Sequence, residues 1–251
     1  MTQYEDRKVG AVILAAGKGK RMKSDLAKVL HPLCGKPMLT YSVDVARAVG
    51  VGKIAVVIGH QADVIRDLFS DQGLIFIEQY EQLGTGHAVL QAKNTFHNFK
   101  GTILILCGDV PLLRPSTVRS LIENHISGSA TLTVLTTLLD NPSGYGRVIK
   151  RGNGGEVLRI IEEKDASPDE KKIREINTGI YCVESEFLFR AVEEIKNENV
   201  QKEYYLTDIV SIAWTKGFKT RSFVNADSIE VMGVNTLDDL QRASKHISIC
   251  K

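Results

Sequence analysis

Val9-Gly10-Ala11-Val12-Ile13-Leu14-Ala15-Ala16 runs without a charge and then breaks into Gly17-Lys18-Gly19-Lys20-Arg21-Met22. An unbroken apolar run closed by glycine reads as a strand buried on both faces, the habit of a parallel sheet. The signature returns at 53–59, 74–78 and Thr102–Cys107. Helical spacing fills the gaps. Met38, Tyr41, Val45 and Val49 recur at three or four residues behind Pro37, which is suited to open a helix, and 62–69, 88–96 and 116–125 read alike. Strand then helix, repeated as far as His125, predicts an α/β fold with a largely parallel sheet.

Beyond Gly128 the rhythm changes. Residues 130–138 alternate with threonines, Arg147–Lys150, 157–163 and 180–183 read as short strands, and 185–196 and 208–216 look helical. This half is expected as an α+β elaboration of the same sheet. No Pro/Ser-rich linker or charge block divides the two, so one domain over 6–251 is expected. It would have lobes at 8–128 and 129–235 and a terminal helix within 236–251. A ligand site then falls between the lobes, beyond the carboxyl ends of the parallel strands.

Composition excludes other classes. Hydrophobic residues are 43% and charged residues 25%, ordinary globular proportions that rule out disorder, collagen and coiled coil. Thirty-two basic against thirty acidic residues gives +2, so no bulk field recommends nucleic acid or an anionic membrane as partner. No apolar run approaches the ~18 residues of a membrane span. The opening MTQYEDRK is a poor leader, and a cytoplasmic protein is expected. Cys34, Cys107, Cys182 and Cys250 include no C-x-x-C pair, which reads as reduced thiols rather than a disulfide framework or zinc site.

The glycine loop after the first strand suits an anion. Its backbone N–H groups can close on a phosphate, with Lys18, Lys20, Arg21 and Lys28 adding charge; a plain strand-to-helix connection is the alternative. Two better-known phosphate loops fail here. The dinucleotide fingerprint needs a small residue where Met22 stands, and the Walker pattern needs Ser or Thr where Arg21 follows Gly19-Lys20. Asp109, just past an apolar strand and followed by Pro111, is well placed for a magnesium ion, although turn aspartates are common there.

Here a resemblance becomes specific. LAAGKGKRM with Lys28 resembles the signature of the nucleotidyltransferases that make nucleoside-diphosphate sugars. The blocks QYEQLGTGHA from Gln79, GDVPL from Gly108, GYGR from Gly144, Glu162-x-Lys164-Asp165, Asn177-Thr178-Gly179, EYYLTD from Glu203 and Gly233-Val234-Asn235 follow in family order. Together they resemble the uridylyltransferase domain of the bacterial N-acetylglucosamine-1-phosphate uridylyltransferases. Two positions depart: Lys20 replaces the usual Thr or Ser, and Ala27 replaces the usual Pro before the lysine. The resemblance implies a Rossmann-like (GT-A-like) nucleotide-diphospho-sugar transferase fold, with a mostly parallel central sheet flanked by helices and an α+β sugar-binding lobe. Bifunctional members carry a C-terminal β-helix acetyltransferase of hexapeptide repeats, which these residues cannot encode. A monomer or weak dimer is therefore expected.

The implied reaction is in-line attack of N-acetylglucosamine 1-phosphate on the α-phosphorus of UTP, with pyrophosphate leaving and Mg²⁺ assisting. Such chemistry asks for positioning and charge stabilisation. Arg21, Lys28 and Asp109 would be catalytic. Leu14, Ala15, Ala16, Gly17, Gly19 and Lys28 would bind the nucleotide, with Gln79, Gln82, Gly84 and Thr85 at the uracil. Asp109 and Asn235 would hold the Mg²⁺, a pairing only the resemblance suggests. Cys107, Gly108, Gly146, Glu162 and Asn177 would face the sugar. His87 reads as packing at a helix start rather than as a base, and Tyr204 and Tyr205 as core aromatics more than ligand stackers. Transfer to another sugar phosphate or from another nucleotide is the nearest alternative, and a nucleotide-sugar-binding domain without turnover the more distant one.

Overall fold

The computed structural model describes residues 8–152 and 155–249. Cys250 and the leader reading of the first residues lie outside these. In chain order the elements are β1 (Val9–Ala15), β2 (Pro32–Leu33), β3 (Lys36–Pro37), α1 (Met38–Ala48), β4 (Lys53–Ile58), α2 (Ala62–Leu68), β5 (Ile75–Glu78), α3 (Thr85–Gln91), β6 (Thr102–Cys107) and α4 (Pro115–Ser127). Then come β7 (Leu132–Leu138), β8 (Arg147–Lys150), β9 (Val157–Ile161), β10 (Glu175–Glu184), α5 (Ser185–Glu194), α6 (Asp208–Thr215), β11 (Thr220–Asn225) and α7 (Leu237–Ile249).

Nine strands form one sheet in the order β11-β7-β10-β6-β1-β4-β5, with β8 on β10 and β9 on β8. The run β6-β1-β4-β5 is parallel throughout. β10 enters antiparallel between β6 and β7, and β11 runs parallel to β7. β1 lacks polar alternation because both its faces are covered. Ala11 and Ile13 feed the core on one side of the sheet and Val12 the core on the other.

Several boundaries differ from the sequence reading. The strand expected at 180–183 is the ten-residue β10, whose first half carries polar residues and a register shift between Asn177 and Tyr181. β11, TRSFVN, was not anticipated because its polar residues give no buried-strand signal. The helix expected at 88–96 begins at Thr85 and gives way to a 3-10 turn at Asn94–Phe96. Pro37 stands at the N-cap of α1, one residue before the position expected. Among the described residues no helix is long and apolar enough to cross a membrane.

The topology fixes where a ligand goes. From β1 the chain builds outward through β4 to β5, then crosses back to β6 on the other flank of β1. Such a reversal opens a crevice beyond the carboxyl ends of the two strands. Leu14 lies in register with Cys107, so the loop after β1 and the turn after β6 leave the sheet side by side.

Candidate active site

The loop after β1 turns at Gly19 in the left-handed region, φ 62°. A Cβ there would lie 2.6 Å from the Cβ of Lys28, so only glycine lets the loop rest on that lysine. Ala27 is fully buried, and its N–H donates to Gln61 Oε1 at 2.6 Å. Proline, the usual residue here in the family that the sequence resembles, has no N–H to make that bond.

From this base the Lys28 ammonium donates to the Asp109 carboxylate and, at 2.6 Å, to Asn235 Oδ1. Arg21 Nη2 donates to the same amide oxygen at 2.8 Å. The carbonyl of Asp109 accepts the N–H of Val234 at 2.8 Å, which ties the turn after β6 to the segment before α7. The N–H groups of Asn235 and Thr236 both donate to Asp239 Oδ2, at 3.0 and 2.9 Å. Two hard oxygens from distant parts of the chain thus meet on one cationic nitrogen, and the donor set fits a divalent cation there. A single carboxylate with one amide oxygen suits Mg²⁺, which keeps waters and phosphate oxygens as its other ligands. Among the described residues no group of three or more His, Cys, Asp and Glu could hold a metal alone.

A cleft of about 420 Å³ opens here. Leu14, Ala15, Ala16, Gly17, Gly19, Arg21, Lys28, Gln79, Gln82, Gly84, Thr85, Cys107, Asp109 and Asn235 all line it, and Lys20 lines it too. Gln79 is only 3% exposed, and its Nε2 donates to Gly84 O at 3.1 Å and meets His87 Nδ1 at 3.0 Å. Its amide N–H groups are spent on the turn, and Oε1 is left as the acceptor. His87 therefore orients Gln79, in keeping with a packing role. Gln82 Nε2 donates to the Gln79 carbonyl at 2.9 Å.

Gly84 has φ 118°, and a Cβ on it would lie 2.6 Å from the Tyr204 carbonyl oxygen. The segment around Tyr204 is zipped to this turn. Tyr204 N–H donates to Leu83 O, Gly86 N–H to Tyr204 O, and Leu206 N–H to Thr85 Oγ1, at 2.8, 2.8 and 3.0 Å. Tyr205 is buried as a core aromatic. Glu203, Val29 and Ala88 line the cleft without having been singled out in the sequence. Glu203 opens the EYYLTD block and Ala88 closes the QYEQLGTGHA block, so a signal for both was present; Val29 is an apolar neighbour with none.

Gly146, Glu162 and Asn177 form a second cluster beside the cleft. Asn177 N–H donates to Gly146 O at 2.9 Å, and a Cβ on Gly146 would lie 3.4 Å from Glu162 Oε1. Asn177 Oδ1 accepts from Tyr181 Oη at 2.9 Å and Gly179 N at 3.0 Å, which turns its NH₂ outward as the remaining donor. Cys107 Sγ donates to Gly179 O at 3.4 Å and joins the cluster to the cleft. Burial, reinforced by the Asp109 charge, pushes the Cys107 thiol up to about 12, so it is a neutral wall rather than a nucleophile. Gly108 is held by its N–H to Leu14 O at 2.9 Å. Burial raises the Glu162 carboxyl against the hydroxyl of Thr207, which reaches Oε1 at 3.3 Å.

The sequence model of the nucleotidyl transferase family matches residues 10–247. The chain is 52% identical over 96% of its length to the bifunctional protein GlmU of Geotalea daltonii. It is 54% identical over 94% to that of Geobacter metallireducens. It spans 53% and 50% of those proteins, about half their length. The structure of UDP-glucose pyrophosphorylase complexed with UDP-glucose superposes with a TM-score of 0.79, covering 98% of this chain and 100% of that one. At 18% identity this is a likeness of fold.

Proposed function

This chain belongs to the nucleotidyl transferase family, and from that premise we propose that it transfers the uridylyl group of UTP to N-acetylglucosamine 1-phosphate in the cytoplasm. The products would be pyrophosphate and UDP-N-acetylglucosamine, a precursor of peptidoglycan and lipopolysaccharide. The observation that carries this reading is the meeting of Asp109 and Asn235 on one cationic point, in the cleft that the glycine loop lines. The choice of substrates rests on the GlmU likeness and on the ordered blocks from Leu14 to Asn235.

The backbone of Gly17–Gly19 cradles the triphosphate, and Gly84, Thr85 and the free oxygen of Gln79 meet the uracil edge. Arg21 and Lys28 offset the charge that grows on the departing pyrophosphate, with Lys20 as a third cation at the rim. Asp109 and Asn235 would hold a Mg²⁺, which would supply further neutralisation of phosphate charge. Glu162 accepts from sugar hydroxyls, while Asn177 donates from its NH₂. The attacking phosphate already carries its charge, so no side chain has to serve as base, and His87 stays with Gln79.

Pyrophosphate release from UTP plus N-acetylglucosamine 1-phosphate tests the reading, set against glucosamine 1-phosphate, glucose 1-phosphate, CTP and GTP. Turnover with CTP or GTP and none with UTP would replace the donor. UTP binding with Mg²⁺ present but no turnover would make the chain a binding domain. Light scattering should find a monomer or weak dimer.

A further inference from the structure

Lys28 is firmly anchored at its root. Its Cβ lies under Gly19, the residue before it is pinned to Gln61, and its side chain is only 12% exposed. From that root the ammonium reaches the two oxygens read above as metal ligands, Asp109 Oδ2 and Asn235 Oδ1. A cation already stands where those oxygens converge. An ammonium and a divalent ion cannot share that point, because like charges at contact distance repel strongly.

We propose that Lys28 is a tethered counter-ion for the metal ligands. It holds Asp109 and Asn235 together, and a divalent cation enters only by displacing its ammonium toward the nucleotide phosphates. The proposal rests on the ligand reading of Asp109 and Asn235, and not on which sugar or base is used. Metal alone then binds weakly, since Lys28 loses both partners when it leaves. A triphosphate gives the freed ammonium new oxygens, so nucleotide and metal favour each other reciprocally. A lysine that only bound phosphate would leave the affinity for metal alone unchanged.

The test is Mn²⁺ binding to the full chain without nucleotide, read from the electron paramagnetic resonance of free Mn²⁺. Lys28→Met and Lys28→Gln should each bind one Mn²⁺ about tenfold more tightly than the unaltered protein. Lys28→Arg, which keeps a cation, should stay near it, and Asp109→Asn should lose the site. On the unaltered chain, one ¹⁵N-ammonium resonance, identified by its loss in Lys28→Arg, should shift when Mg²⁺ is added alone. That arm decides the matter should the neutral variants not fold. Neutral variants binding no more tightly than the unaltered protein, or a resonance indifferent to Mg²⁺, would overturn the proposal. Unchanged Mn²⁺ binding in Asp109→Asn would instead remove the ligand reading and the proposal with it. Uridylyl transfer itself is read by pyrophosphate release from UTP and sugar phosphate, so its failure is distinguishable from either result.

Discussion

Asp109 draws its importance from its company, since a carboxylate after a strand is ordinary. Among the described residues it is the one carboxylate bonded at the point it shares with Asn235, Lys28 and Arg21. Asp109→Ala should lower kcat about a thousandfold while circular dichroism and melting stay close to those of the unaltered chain, because the loss falls on transition-state charge. A near-normal rate at saturating Mg²⁺ would withdraw the assignment. Arg21 plays a different part. Its guanidinium is exposed and bonded to a neutral amide, so it is available to charge that develops late. Arg21→Ala should reduce kcat more than it raises the KM for sugar phosphate, and a pure KM effect would make it a ground-state binder.

At the level of elements, the start of α7 is where structure and site are most tightly joined. Thr236 Oγ1 accepts the Asp239 N–H at 3.1 Å, and Asp239 Oδ2 accepts the N–H groups of Thr236 and Asn235, a capping box extended by one residue onto the proposed metal ligand. Asp239→Ala should cost about 1 kcal/mol of stability and raise the Mg²⁺ concentration needed for half-maximal rate. Unchanged Mg²⁺ dependence would separate the cap from the ligand. Burial works to raise the Asp239 carboxyl, but the N–H groups of Asn235 and Thr236 and the Thr236 hydroxyl outweigh it and hold it below its usual value. A depressed carboxylate stabilises the fold above its unfolded pKa and loses that contribution as pH falls through the folded one. Acid should therefore fray α7 in the unaltered chain, and Asp239→Ala should lack that component of acid sensitivity in its melting curve. This cap was not read from the sequence, although Thr236 with Asp239 three residues on, at the start of the terminal helix, carries the spacing of a capping box. β1, β4 and β6 were legible because burial on both faces leaves no room for polar residues. β11 and the first half of β10 were not, since one is a polar strand and the other carries polar side chains and a register shift beside the cleft. The glycine loop and Asp109 could be read from local chemistry. Asn235 could not, because its approach to Asp109 is made by the fold, through the Val234 N–H on the Asp109 carbonyl.

Across the whole molecule, the hydrophobic interior is divided by sheet face and not by lobe. One core unites Ala11, Ile13 and Leu104 from before Gly128 with Leu135, Ile180 and Val231 from after it. The opposite core joins Val12 and Ala88 to Val134, Tyr181 and Leu206. β10 is the bridge: Tyr181, Cys182 and Val183 are fully buried and pair with β6 on one side and β7 on the other. Opening either lobe alone would strip apolar area from both cores and leave the flanking strand of the other lobe without its hydrogen bonds. The chain should therefore unfold in a single transition, with calorimetric and van't Hoff enthalpies equal, although it is larger than most chains that behave so. Leu104→Ala in one lobe and Leu135→Ala in the other should each destabilise by about 2–5 kcal/mol, and each should move the whole transition rather than a part of it. UTP with Mg²⁺ should raise that same transition by mass action. Two separable transitions, with Leu135→Ala shifting only one, would mean that the halves meeting near Gly128 fold as independent domains and that the shared cores do not couple them.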